Sequence, residues 1–401
     1  MLYKILRQIT ASLFKIYFRK IYLIDADKLP LNGPVVLSCN HPMAFSEACL
    51  LACFLDRPLY FLVRGDVFAK GWDWFLQATN QIPIYRFRDG FSNMRRNKES
   101  FVRAYEALAD NKAILIFSEG NTRLQKKLFP LQKGLSRLAF GAYSERSVKN
   151  IQIVPVGVNY SDGKSFRSDV QIKIGDPIPL ESYLELYDQD PVEAGKSITD
   201  DLYAAMRPLV IHLDEAADEP LANRLFEISG NYSDEPAWPV IDRSQKRFNR
   251  EKNIANQINH LSDTQKSDLL QLISAAYIRG SQLPWKLYLI LILGIPVAII
   301  GFLLNAIPFY LSKRIADGKV RQVEFYTPVR MGLNLIFYLL WLLLGLILFF
   351  YLFGWMALVA IWILPLTGFM TILWKEGYHR AKNNYVVKSE VRDRIESLFF
   401  Q

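Results

Sequence analysis

Residues 113–123 read Ala-Ile-Leu-Ile-Phe-Ser-Glu-Gly-Asn-Thr-Arg. This is a short apolar strand that runs into a glutamate, a glycine and an arginine. A continuous apolar run of this length, bounded by polar residues, suits a strand covered on both faces, as in a parallel sheet. Gly120 permits a positive φ or a close backbone approach directly after it. Working outward, residues 34–39 give a similar run, followed by Asn40-His41-Pro42-Met43-Ala44-Phe45-Ser46-Glu47. Downstream, Ile153-Val154-Pro155-Val156 gives a third apolar strand, with a central proline. Strands are also predicted at 60–63, 82–85 and 169–174. They alternate with helices at 44–55, 68–79, 93–109 and 134–143, and helices resume over 180–212. The alternation predicts an α/β domain, a central mixed sheet flanked by helices, over residues 25–212.

The chain has 401 residues and a net charge of +9. A basic protein suits nucleic acid, anionic lipid or phosphorylated substrates. Its aromatic residues lie in apolar runs and not among Lys and Arg, which disfavours nucleic acid. Three cysteines, Cys39, Cys49 and Cys53, make no disulfide framework and fit a reducing compartment. With His41 they lie close in sequence, but no second ligand pair follows, so they read as packing residues and not as a metal site.

Beyond this domain the composition changes. Residues 1–24 read as an amphipathic basic helix, with Leu2, Leu6, Ile9, Leu13, Ile16 and Tyr17 at helical spacing and Lys4, Arg7, Lys15, Arg19 and Lys20 between them. Such a helix suits the surface of an anionic membrane. Residues 213–280 form a polar helical connector, and 281–401 an apolar region with a basic tail. Within it, 335–351 and 355–373 are long enough to cross a bilayer and are expected as a transmembrane hairpin. Residues 287–307 contain Gly294, Pro296, Gly301 and Asn305, and are expected as a broken, re-entrant element, with a plain crossing as the alternative. Lys and Arg in 309–333 and after 373 place those segments, and the catalytic domain, on the cytoplasmic side.

The chemistry converges on a few residues. His41 follows a buried strand, and its imidazole suits proton abstraction from an alcohol. Glu47, six residues on, is placed to orient that ring as the acid of a His–carboxylate pair. Ser46 lacks a nucleophile-elbow sequence and is discounted. Arg123 offers a planar fork for phosphate. Arg86, at the end of the 82–85 strand, is expected at the same sheet edge, where open α/β sheets bind ligands. Lys133 and Arg88 are weaker candidates.

These blocks resemble those of the glycerolipid acyltransferase superfamily, in the same order: His41 onward, Ile82 to Arg86, Phe117 to Arg123, and Val154 to Val156. Gly175-x-Pro177-Ile178 is similar to the family's closing strand. The likeness covers about residues 32–180. Two departures stand out. The acid is Glu47, where the common form has Asp five residues after the histidine, the position of Ser46. Ser118 stands in place of a proline. The longer spacing, and Phe166-Arg167-Ser168, resemble the fungal-type glycerol-3-phosphate acyltransferases. The resemblance implies transfer of an acyl chain from acyl-CoA or acyl-carrier protein to glycerol-3-phosphate or its 1-acyl form, with His41 as general base. It also implies Glu47 as the orienting acid, acceptor phosphate on Arg86 and Arg123, and Glu119 and Gly120 shaping the acceptor site. No metal or cofactor is implied. The alternatives are another lyso-lipid or an amino-acid lipid as acceptor, or a non-catalytic lipid-binding scaffold.

Overall fold

Nine strands form one sheet: Lys20–Ile24 (β1), Val35–Cys39 (β2), Leu59–Arg64 (β3), Gln81–Ile84 (β4), Ala113–Phe117 (β5), Gln152–Tyr160 (β6), Asp169–Ile174 (β7), Ile178–Pro179 (β8) and Ile241–Asp242 (β9). The order is β4-β3-β5-β2-β6-β7-β1-β9, with β8 added on β6. The computed structural model describes residues 2–65, 71–84, 92–230, 238–275, 277–279, 285–382, 385–387, 391, 393 and 399. Strands β4 through β6 run parallel; β7 opposes β6, and β1 and β9 run with β7. The predicted mixed sheet is therefore present. β2 is buried at every position because it lies between β5 and β6 and is covered on both faces.

The helices of this domain are Leu2–Tyr17 (α1), Ser46–Phe54 (α2), Asp73–Ala78 (α3), Ser92–Ala109 (α4), Gly134–Arg146 (α5), Leu184–Gln189 (α6) and Pro191–Met206 (α7). Leu108, Leu138, Ala139, Ile198 and Met206 from α4, α5 and α7 pack with Val36, Ile114 and Ile153 of the sheet into one core. Burying one such Leu or Ile contributes about 1.5–3 kcal/mol. Pro155 sits in mid-sheet without disrupting it. It lies where β7 gives way to β8 along β6, and Gly175 N–H donates to its carbonyl.

Two expectations change. The N-terminal helix ends at Tyr17, and residues 20–24, expected within it, are the fully buried strand β1. The run Ile21-Tyr22-Leu23-Ile24 is β-branched and aromatic and favours a sheet. Arg167 closes the helix: its backbone N–H donates to the Tyr17 carbonyl, and its guanidinium to the carbonyls of Ile16 and Phe18. α1 turns Phe14 and Tyr17 inward, while Ile5, Ile9 and Ile16 stay exposed. Second, residues 236–259, expected in the connector, lie with residues 1–219 in one unit. β9 pairs with β1, and the helix Lys246–His260, which follows Glu219–Gly230 (α8) and is α9, brings Arg247 and Glu251 to Asp169 and Gln171 of β7.

Residues 220–235 and 260–401 form the second unit. It contains Asp263–Ala275 (α10), Tyr277–Arg279 (β10), Trp285–Lys319 (α11), Val323–Phe353 (α12), Ala357–Ala360 (α13), Ile363–Lys382 (α14) and Tyr385–Val387 (β11). Helices α11 and α12 are long and apolar enough to cross a membrane. Residues 287–307, expected as a broken element, lie inside one continuous helix that includes Pro296 and Pro308. Apolar helices tolerate proline when a neighbour satisfies the carbonyl that loses its N–H partner. That happens here: Pro308 leaves the Leu304 carbonyl without its helical donor, and Trp341 Nε1–H of α12 donates to it at 2.8 Å.

The expected hairpin of 335–351 and 355–373 also differs. Along α11, Leu304, Asn305 and Ser312 meet Trp341, Tyr338 and Asn334, so α12 runs antiparallel to it. Leu291 and Ala298 meet Trp374 and Thr371, so α14 does too. α11 therefore pairs antiparallel with both α12 and α14. The chain doubles back over 354–362, where Gly354 has φ 58, before α14 runs alongside α11. Gly301 permits this packing, since a Cβ there would lie 2.2 Å from the Thr367 carbonyl oxygen.

Candidate active site

Parallel strands end together, so β2, β5 and β6 deliver Asn40, Ser118 and Tyr160 to one edge of the sheet. Asn40 fixes the exit of β2: its side-chain amide donates to the Val158 carbonyl at 2.9 Å and accepts from Val158 N–H at 2.7 Å. His41 follows, part-buried. Pro42 and the left-handed Ala44 (φ 50) form a tight turn that leads into α2.

Glu47, in the first turn of α2, is fully buried. Its Oε2 lies 3.2 Å from His41 Nδ1. Its Oε1 accepts from Met43 N–H at 2.6 Å and from the Tyr160 hydroxyl at 3.1 Å. With Glu47 accepting at Nδ1, that nitrogen carries the proton and Nε2 keeps its lone pair. The extra methylene of Glu relative to Asp therefore still reaches the imidazole. Phe117, the last residue of β5, stacks on the His41 ring with centroids 3.8 Å apart and planes at 12°. The register explains the pairing, because Cys39, two residues before His41, pairs with Phe117. Burial, and then the Glu47 charge, push the Tyr160 hydroxyl well above its usual pKa, so it remains a donor.

Glu119 ties the second block to the first. Its Oε2 accepts from His41 N–H at 3.1 Å and its Oε1 from Phe129 N–H at 3.0 Å. Burial raises its pKa, and these two amide bonds offset only part of that rise. Both oxygens thus accept from backbone N–H groups, which orders the site. Arg123 N–H donates to the His41 carbonyl at 3.1 Å. The Arg123 side chain is exposed, with its guanidinium carbon 4.5 Å over the Phe129 ring. Gly120 has φ 70, and a Cβ there would press on Gln132 at 3.1 Å. Lys133 is exposed at the start of α5. Strand β4 ends at Ile84 on the same sheet edge; Arg86 and Arg88 lie outside the described residues.

His212 supports the loop from outside the blocks. Its Nδ1 accepts from Leu128 N–H at 3.0 Å, and its Nε2 lies 3.2 Å from Asp214. Burial holds its pKa down to about 4. The cysteines do not join the site. Cys53 Sγ faces the Arg7 carbonyl, and burial pushes Cys49 up to about 11 and Cys53 up to about 12. Among the described residues, no three His, Cys, Asp or Glu side chains gather as a ligand set.

The residues that sequence reasoning missed are Phe117, Tyr160 and His212. Phe117 and Tyr160 had a readable signal, an aromatic residue closing an apolar strand. His212 had none, since it lies 84 residues from its partner.

Residues 20–159 match the family model described as Acyltransferase. The chain is 23% identical over 259 residues to glycerol-3-phosphate O-acyltransferase 1 of Saccharomyces cerevisiae, covering 58% of this chain and 33% of that protein. It is 29% identical over 153 residues to glycerol-3-phosphate O-acyltransferase 2 of the same yeast, covering 38% of this chain and 18% of that one. The chain thus spans a third or less of the length of these two relatives. Among solved structures, it is similar to the 1-acyl-sn-glycerophosphate acyltransferase PlsC from Thermotoga maritima, with TM-score 0.37 and 13% identity over 51% of this chain and 79% of that one. Residues 20–159, with these blocks in this order, are thus similar to the acyltransferase family.

Proposed function

We propose that this protein transfers an acyl chain from a thioester, acyl-CoA or acyl-carrier protein, to a hydroxyl of glycerol-3-phosphate or 1-acylglycerol-3-phosphate in phospholipid synthesis. The observation that carries the reading is the His41 Nδ1–Glu47 Oε2 contact of 3.2 Å, placed where three parallel strands end. Glu47 fixes the tautomer and stabilises the imidazolium that forms. His41 Nε2 takes the acceptor's hydroxyl proton as its oxygen attacks the thioester carbonyl carbon. The tetrahedral intermediate collapses, the carbon–sulfur bond breaks, and the imidazolium returns its proton to the departing thiolate. Arg123, exposed and tied through its backbone to His41, holds the acceptor phosphate, with Arg86 as a second cation.

The reading also places the protein in the cytoplasmic membrane with its catalytic domain on the cytoplasmic side. The exposed isoleucines of α1 and the apolar α11 and α12 support the membrane part.

The test is acyl transfer by the purified full chain in detergent. Palmitoyl-CoA is offered against glycerol-3-phosphate and against lysophosphatidic acid, with acyl-carrier-protein donor in parallel. Transfer to one acceptor, lost by at least about a thousandfold in His41→Ala, is expected for a general base and its partner together. Transfer that survives His41→Ala, or no transfer from either donor, overturns the reading.

A further inference from the structure

A second site lies in the helical unit, where α11 and α12 come together at their turn. Arg330, at the start of the third turn of α12, is part-buried, and its Nε is fully buried with no hydrogen-bond partner. A buried guanidinium N–H without an acceptor is costly, and such a group in a native structure calls for a missing partner. The nearest carboxylate does not supply it. Asp317 is already held at both oxygens, by Lys313 Nζ at 2.5 Å and by the Tyr326 hydroxyl at 2.7 Å. Among the described residues, no ion pair reaches Arg330. The Tyr326 ring centroid lies 6.0 Å from the guanidinium carbon. Lys319 adds further positive charge on the same end of α11.

We propose that this end of the helix pair is a binding site for the phosphate of an anionic phospholipid, with Arg330 as its principal donor and Lys313 beside it. The acceptor it lacks must be anionic, because the local charges of Lys313, Asp317 and Arg330 sum to a net positive. A planar guanidinium fork matches a phosphate's paired oxygens. The occupant is a lipid because the helix surfaces leading away from the site are apolar and exposed. Tyr310, Leu311 and Ile336 are 66%, 40% and 55% exposed, and they suit acyl chains and not water. Basic pockets between membrane helices bind acidic headgroups by this logic. The site shares no residue with the acyl-transfer site and does not depend on that activity.

The experiment uses the full chain purified in detergent, exchanged into mixtures of phosphatidylglycerol and phosphatidylcholine and weighed by native mass spectrometry. The wild type retains phosphatidylglycerol in preference to phosphatidylcholine. Arg330→Gln lowers that preference about tenfold, the order expected for one charge-assisted pair. Arg330→Lys, which keeps the charge and loses the fork, falls between them and guards against misfolding of the Gln variant. Arg314→Gln, at an exposed position outside the cluster, keeps the preference. Equal retention by wild type and Arg330→Gln overturns the proposal. So does an equal loss in Arg314→Gln, which would mark a diffuse basic surface. Displacement of the lipid by millimolar inorganic phosphate would make this a free-phosphate site and overturn the lipid assignment.

Discussion

At the scale of single residues, the buried carboxylate of Glu47 governs the His41 dyad, and three donors hold it. Tyr160→Phe removes one donor and leaves the ring in its packing against Phe18. A hydrogen bond to a charged group contributes about 1.5–3 kcal/mol. Since Tyr160 acts through Glu47 and touches no substrate, the variant should lose about ten- to a hundredfold in kcat with KM nearly unchanged. A change in KM alone would count against this positioning role. His212 makes a second prediction. Its pKa of about 4 lies below the ordinary histidine value, so the unfolded chain binds the proton more readily than the folded one. Its contribution to stability is complete above about pH 6.5, falls as the pH drops, and is lost by about pH 4. Protonation also removes the acceptor for Leu128 N–H. In His212→Gln, denaturant unfolding of the full chain should therefore lose part of its decline between those two pH values. His41, Glu47 and Arg123 were legible in the sequence because each sits in a short block with a recognisable spacing. Tyr160 and Phe117 showed only that an aromatic residue closes each apolar strand; their partners, Glu47 and His41, are fixed by the fold.

At the scale of elements, the strands were legible where both faces are buried. A run such as Ala113–Phe117 has no other good fate, and β2, β5 and β7 fall within a residue of expectation. β1 was hidden because Ile21 and Leu23 continue a helical-looking spacing that Arg167 ends from 150 residues away. β9 is two residues long and carries no periodic signal. Pro296 and Pro308 argued for a broken helix, and the side chain that compensates Pro308 lies on α12. That compensation is measurable. Trp341→Phe should cost about 0.6–1.7 kcal/mol in the protein's unfolding by SDS, the range for hydrogen bonds between membrane helices. Pro308→Ala restores an N–H to the Leu304 carbonyl, so Trp341→Phe should cost less in that background. Equal costs in both backgrounds would show that the Trp341 bond does not stand in for the missing amide.

At the scale of the whole molecule, a chain with α11 and α12 embedded in lipid resists alkaline carbonate. We expect the full-length protein to stay with the membrane pellet after such a wash, read by immunoblot. The route of the chain through the second unit adds a further expectation. Because α14 runs antiparallel to α11, it finishes beside the start of α11. β10 and β11 record this directly, since they pair antiparallel with Arg279 opposite Tyr385. The apolar helices therefore hang from the rest of the chain as a cassette whose two ends are already clasped. Joining residue 279 to residue 385 with a short turn removes the whole cassette and spans almost no distance. The shortened protein should leave the membrane in the carbonate wash that the parent resists, and retention of both in the pellet would place the anchor elsewhere.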